Sequence, residues 1–511
     1  MKRLILLLAA AVLLLSGCSP RENPVEESPL GAYGNTGETH TVKVPPRHYI
    51  SLIFYEDMDT HPLTTQNKEN HELLKLVYSP LVRLDDRLKV HFVLAENVLV
   101  EGTEVTVYLR PNLKFSDGSP LTAADVVSSI KTVRNNPTSP YYERLTNVKR
   151  YTAKDDRTVL ITLHRPDVDF AGCLDIPVVQ KKSGLGSGPY LFSEQGGERV
   201  LVPNANYFLQ TNIGTIYLKK PANETQRQDM FSVGLLDVYF TTAESTSTFT
   251  GGKNFRTQTY GSDNLLFLGV NCSTGPLSNA ALRHYLSGLV GREKLVQSVL
   301  LNQAEPTAYP FRSAWYKAEE LVQDRNWTDQ QKKEKAAALG LTLSENMLLN
   351  KAGAQLTFRL MVQEGSEVHK SVSQAVADSY ALSGIRILPE TVSREVYNTR
   401  LAAGDYELYL GEIKTGRSLN TALFAAGSAV NFSKADFSAV EQAAAAYIAG
   451  EKTLAEFAAA FDAATPVIPL TYRRGVLYAA ADIGDFKDTG TWALYGDITQ
   501  LVTLETELSK E

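Results

Sequence analysis

The chain is poor in the residue patterns that most chemistry needs. Only three cysteines occur in 511 residues, Cys18, Cys173 and Cys272, and none has the spacing of a metal site. The eight histidines, His40, His48, His61, His71, His91, His164, His284 and His369, are equally scattered, so no metal or other cofactor is implied. G-x-S-x-G, H-E-x-x-H and phosphate-loop motifs are all missing, which removes the sequence signatures of the common nucleophile, zinc and nucleotide enzymes. A hydrolase built on a carboxylate pair leaves no motif and stays open as a weak alternative. There is no block of basic residues, and 51 Lys and Arg against 57 Asp and Glu leave a formal net charge of −6. That balance argues against a nucleic-acid partner. No apolar run reaches the roughly 20 residues of a membrane-spanning helix.

What is present begins with residues 1–18, MKRLILLLAAAVLLLSGC. Two cations, a short apolar run and small residues before a cysteine have the layout of an export signal. Leu15, Ser16, Gly17 and Cys18 resemble the lipobox of bacterial lipoproteins, which implies acylation of Cys18 and attachment to a membrane through lipid. Residues 19–44 are rich in Pro, Glu, Ser, Gly and Thr and read as a flexible tether. With Cys18 committed to lipid, Cys173 and Cys272 either pair or stand as two small apolar residues.

The body that follows is α/β in pattern. Length suggests roughly three domains, and 43% hydrophobic residues suffice for well-formed cores. Residues 115–130, FSDGSPLTAADVVSSI, organise the first half. Val105, Val107 and Leu109 alternate with polar neighbours as a half-buried strand that stops at Pro111. Residues 116–120 supply a turn, and Thr122 with Asp125 forms a capping box that starts a helix. Val126, Ile130 and Val133 give that helix one buried stripe.

The second half repeats a strand–helix unit. Strands are expected at 356–362, 385–388 and 407–410, with helices at 367–382 and 394–402. Strands alternating with helices of this length imply a parallel sheet, whose ligands bind at the carboxyl ends of the strands. The third strand is expected to end at Gly411, so the residues after it lie at a site edge by topology.

Residues 109–130 carry Leu109, Arg110, Phe115, Asp117, Gly118, Pro120, Leu121, Thr122, Ala123, Asp125 and Val126 in register with the signature L-R-x-x-x-x-F-x-D-G-x-P-L-T-A-x-D-V. This stretch resembles the family 5 extracellular solute-binding proteins, the dipeptide, oligopeptide and nickel binders of ABC importers. Further matches follow in order: Tyr78, Pro80, Leu81 and Val82; Val93 to Glu96; TVLITL at 158–163; GSGPY at 186–190; NLLFLGVN at 264–271; Arg283, Leu286, Arg292, Glu293 and Leu295; AAGDYELYLG at 402–411; and PVIPLTY at 466–472. The resemblance implies a two-lobed, type II periplasmic-binding-protein-like α/β fold with an additional inserted domain in the first lobe. Lobe I is then 45–77, 181–263 and 475–511, the inserted domain 78–180, and lobe II 264–474. Closure about crossovers near 264–271 and 470–478 is implied, with the inserted domain as scaffold.

For function, the resemblance implies a monomeric, lipid-anchored, extracytoplasmic binding protein without enzyme activity. It would hand a peptide or similar solute to ABC permease subunits. Tyr55 is the candidate cleft residue after the first strand, with plain core packing as the competing reading. Asn271 takes the place of the family's crossover asparagine. Beyond Gly411 the sequence departs: the peptide binders carry a Gly-Trp pair and then an aspartate, and this chain reads GEIKTGRSLN. Thr415 falls near the aspartate's place, Glu412 is a replacement carboxylate, and Lys414 and Arg417 suit an anionic ligand. An exposed polar loop is the competing reading. The altered loop also motivates a second class of function, a surface sensor or adhesin that keeps the fold without transport. Trp492 reads as a core or cleft aromatic.

Overall fold

A computed structural model describes residues 41–509, apart from 244–248, 250–254, 274, 323, 324, 326, 418, 491 and 492, with side chains from 45 to 505. Residues 1–40, including Cys18, and Trp492 lie outside the described residues. Thr41–Val44 and Thr506–Ser509 form a small two-stranded sheet described by itself. Among the described residues no helix is long and apolar enough to cross a membrane.

The signature stretch folds as its pattern dictates. Glu104–Leu109 is a strand of the antiparallel sheet Ala95–Glu101, Glu104–Leu109, Thr158–Leu163 and Val148–Ala153. Ala123–Arg134 is the helix, and the Asp125 carboxylate accepts the Thr122 backbone N–H and hydroxyl, each at 3.0 Å. Val126, Ile130 and Val133 pack with Phe115, Val107 and Ile161 into one hydrophobic core that runs from Leu63 to Val178.

A second core joins residues far apart in the chain. Ile50 and Leu52 of Tyr49–Ile53, Tyr190 and Ile216 meet Leu477, Leu494, Ile498 and Leu501. Tyr49–Ile53 pairs parallel with Thr215–Lys219 at the edge of a four-stranded sheet.

The third and largest core covers a seven-stranded sheet. Two strands dominate it, Phe255–Val270 and Val467–Ala480, which pair antiparallel along nearly their whole length. Residues 255–261 of the first lie against 474–480 and against the second core, and residues 264–270 are flanked by Leu408–Lys414. One pair of strands therefore serves both halves, and its register breaks between Gly261 and Leu265 and shifts again between Leu266 and Phe267. Thr357–Gln363 pairs parallel with both Arg386–Val392 and Leu408–Lys414, as the repeat predicts. The expected crossover at 264–271 lies within this strand, and the break falls just before it.

Leu408–Lys414 corrects the expected strand end at Gly411. Glu412 and Lys414 stay in the sheet because Leu266 and Asn264 supply backbone partners there. Gly411 is a packing glycine, since a Cβ on it would stand 2.6 Å from the Phe267 ring. A local glycine signal was outweighed by a strand about 150 residues away.

The register break is clasped by buried charge. Arg312 donates to Glu305 at 2.9 Å and to the Asp86 carbonyl at 2.6 Å, while Arg474 reaches the Asp86 carboxylate at 2.7 Å. The same carboxylate accepts the Gly261 N–H at 2.5 Å. Arg312 is only 2% exposed; burial opposes its charge, and Glu305 and Asp86 outweigh that and hold it protonated. Beside the clasp, Gly475 leaves room for the buried Tyr260 ring, which a Cβ would approach to 2.1 Å. Overpacking of this kind costs about 1–3 kcal/mol. Gly475→Ala is therefore expected to lower the melting temperature, and Tyr260→Leu in the same chain to recover part of the loss; an unchanged melt for Gly475→Ala would refute this packing.

Candidate functional site

Topology places the site residues, and it separates them. The end of Leu408–Lys414 brings Glu412, Lys414, Thr415 and Arg417 to one edge of the seven-stranded sheet. Asn271 is at the opposite edge, because Val270 pairs with Leu408 whereas Asn264 pairs with Lys414. Seven residues of strand put about 20 Å between them. The Asn271 amide donates to the Gly404 and Tyr406 carbonyls at 3.0 and 3.1 Å, and its oxygen accepts from Ser273. Asn271 thus pins a turn, with its side chain buried there. Tyr55 lies against the aromatic cluster of Phe231, Tyr239 and Phe249, half-buried, with burial and the Glu69 carboxylate pushing its hydroxyl up. Its backbone is tied to the Asn70 side chain on both sides.

Each residue past Gly411 has a distinct setting. Glu412 accepts from His369 at 2.9 Å and faces Arg473 and Asn264 at 3.3 and 3.4 Å. Burial alone would raise its carboxyl; the His369 hydrogen bond and the Arg473 charge outweigh burial and hold it below the ordinary 4.5. Glu412 and His369 border a cavity of about 200 Å³ with Phe267, Tyr409 and Phe432. Lys414 is exposed at the strand end. Thr415 is buried: its N–H and hydroxyl donate to the Asp263 carbonyl, and the Tyr472 hydroxyl donates to it at 3.1 Å. Arg417 reaches out of the sheet altogether, pairing with Asp175 and donating to the Gly172 carbonyl at 2.9 Å.

That contact belongs to a seam. Asp175, only 5% exposed, is also bound by Arg144 at 2.9 Å. Asp169 accepts from Lys317 at 2.6 Å and from the Tyr447 hydroxyl at 2.9 Å, and Val168 N–H donates to the Ile448 carbonyl. Leu88, from the turn that carries Asp86, is buried in the core of the seven-stranded sheet. Asp86, Asp169 and Asp175 therefore each hand a carboxylate to cations of that sheet's half. Sequence reasoning missed all three, because nothing local marks an acid whose partner lies more than 100 residues away. His369 had a usable signal, the first turn of the helix after Thr357–Gln363, where a parallel sheet places site residues.

Between the two sides of the seam lies a cavity of about 690 Å³, walled by Glu143, Arg144, Arg165 and Asp167 on one side and Leu419, Thr421, Glu441 and Glu451 on the other. The segment past Gly411 borders it. Burial pushes the Asp167 carboxyl up from 3.8, and repulsion from Asp169 adds to this against Arg165 and Lys317. His71, stacked on Tyr141 nearby, is held well below 6.5 by burial and by Lys75, Arg144 and Arg417, so it is neutral at neutral pH. Cys173, which also lines the cavity, and buried Cys272 are both unpaired thiols; burial pushes Cys173 up to about 12.

Comparison with known proteins agrees with the geometry. The family model "Bacterial extracellular solute-binding proteins, family 5 Middle" matches residues 89–425, well over half of the chain. The oligopeptide-binding protein AppA of Bacillus subtilis is 24% identical over 353 residues, 63% of this chain and 64% of that protein. The probable D,D-dipeptide-binding periplasmic protein DdpA of Escherichia coli is 22% identical over 331 residues, 60% of this chain and 62% of that protein. The chain thus spans just under two thirds of the length of these curated relatives. The unliganded open form of the periplasmic murein tripeptide-binding protein MppA superposes with a TM-score of 0.72 at 17% identity, covering 91% of this chain and 99% of that one. A nickel ABC transporter structure from Bacillus halodurans gives 0.71 at 17% identity, over 89% and 100%. These relatives are solute-binding proteins, not enzymes, and the structures share the two-domain α/β fold.

Two outcomes follow. Asp175→Asn leaves Arg144 and Arg417 without their shared carboxylate, an uncompensated buried charge that costs about 3–5 kcal/mol in denaturant melts, whereas Arg417→Met, which keeps the Arg144–Asp175 pair, costs less; equal costs would refute the shared role. Because the Glu412 carboxyl is depressed in the folded state, its contribution is fully present above 4.5 and is lost as pH falls through the lower folded value. The stability gap between wild type and Glu412→Gln should therefore shrink as melts are taken at progressively more acid pH, and a gap independent of pH would exclude this linkage.

Proposed function

The chain belongs to the bacterial extracellular solute-binding proteins, family 5, and from that premise we propose that it is the lipid-anchored substrate-binding protein of an ABC importer. It captures a peptide or peptide-like solute outside the cytoplasmic membrane and passes it to permease subunits. The observation that carries this reading is the 690 Å³ cavity, whose size suits a small solute and whose walls alternate carboxylates with guanidinium groups. A zwitterionic peptide presents both charges to such walls. Asp167, a carboxyl that burial has raised, suits a ligand ammonium, and exposed Arg165 suits a ligand carboxylate.

The lobes in this reading are 45–77 with 181–263 and 475–511, and 264–474, with 78–180 inserted. Closure turns on the register break at Gly261–Leu265, and a ligand favours the closed form only by its differential affinity for it. The export signal and lipobox ending at Cys18 support anchoring. A second reading, a surface sensor or adhesin, draws on one observation: the altered loop carries Thr415 near the place of the peptide binders' aspartate, and its Arg417 is already engaged by Asp175.

Mass spectrometry of solute released from the purified protein, followed by calorimetry with that solute, tests the reading. A peptide-like compound is expected, with Asp167→Asn weakening its binding at least about tenfold at unchanged melting temperature, since charge-assisted hydrogen bonds contribute about 1.5–3 kcal/mol. No retained solute together with no heat from any short-peptide mixture would favour the sensor reading.

A further inference from the structure

The strands Val82–Leu84 and Val90–Phe92 form a hairpin whose tip is organised by Asp85. Its Oδ1 accepts the Arg87 and Lys89 N–H groups at 2.8 and 2.9 Å, which aims Oδ2 at His91 Nε2, 2.9 Å away. A loop from the far end of the chain covers this tip. Its Gly490 packs on the Asp85 and Asp86 backbone, where a Cβ would come to 3.4 Å. Asp488, held at φ 54° in the left-handed region, brings a third side chain in. One ligand atom from each of Asp85, His91 and Asp488 lies within 4.8 Å of the others.

We propose that Asp85, His91 and Asp488 form a binding site for a divalent first-row transition-metal ion of the Zn²⁺ class, separate from the solute cavity. One imidazole with two carboxylates is a mixed nitrogen–oxygen set that suits Zn²⁺ better than the oxygen-only preference of Ca²⁺ or Mg²⁺. Three protein ligands leave a fourth position for water. A tetrahedral ion with bonds of about 2.0–2.2 Å needs ligand atoms about 3.3–3.5 Å apart, within reach of side chains that are 34% exposed at both His91 and Asp488. Arg83 now contacts Asp488 at 3.1 Å and also lies 3.9 Å from Asp497. When the ion takes Asp488, Arg83 retains a carboxylate partner.

The site has a consequence for the hinge. Asp85 adjoins Asp86, the carboxylate that grips Arg312, Arg474 and the Gly261 N–H at the register break. An ion at Asp85 fixes the hairpin that carries this clasp and ties it to residues 485–490.

Titration of the purified full chain with Zn²⁺ by calorimetry tests the assignment. One equivalent is expected to bind, with His91→Gln and Asp488→Asn each weakening it at least about tenfold and Arg83→Gln tightening it. Metal-free melting temperatures of the variants, measured alongside, separate lost ligation from lost folding. Absence of Zn²⁺ uptake by the wild type, or undiminished uptake by both folded ligand variants, overturns the site.

Discussion

Everything in the main body depends on two strands being shared. Phe255–Val270 and Val467–Ala480 pair antiparallel along most of their length, and each passes from one hydrophobic core into another. Backbone hydrogen bonds tie the pair together along its length, and the ladder is interrupted between Gly261 and Leu265 and again between Leu266 and Phe267. At the first of these Asp86, Glu305, Arg312 and Arg474 replace regular pairing by ionic contacts. Buried ion pairs give modest net stability but strict geometry, since removing one partner leaves a charge without compensation.

The same electrical logic extends along the seam. Acids of the region carrying the antiparallel sheet meet cations and hydroxyls of the region carrying the seven-stranded sheet at Asp86, Asp169 and Asp175, and the solute-sized cavity opens beside two of these contacts. Partly buried charges are screened weakly by salt. The region around the signature helix supplies one wall of the cavity and half of each charged contact.

Legibility in the sequence followed the range of the interaction. The capping box at Thr122 and Asp125, the buried stripe of Ala123–Arg134 and the strand–helix repeat from 357 to 414 were readable because their partners lie within a few residues, or recur with a fixed period. Family membership was readable because motifs occur in order. The end of the third strand was misplaced because its continuation past Gly411 is set by Leu266 and Asn264. Arg417 was singled out for charge alone, and its partner Asp175, more than 200 residues earlier, carried no local mark. Asn271 matched a motif, and only the register of Phe255–Val270 against Leu408–Lys414 reveals that it stands at the far edge.

The second core sets the order in which the chain can mature. Ile50, Leu52 and Leu73 are buried by Leu477, Leu494, Ile498 and Leu501, so this core stays open until the last tenth of the polypeptide has emerged. The core around Phe115, by contrast, draws among the described residues on 63–179 and can close early. Contacts of such long sequence separation form slowly, so the apolar face of Tyr49–Ile53 is covered late in folding.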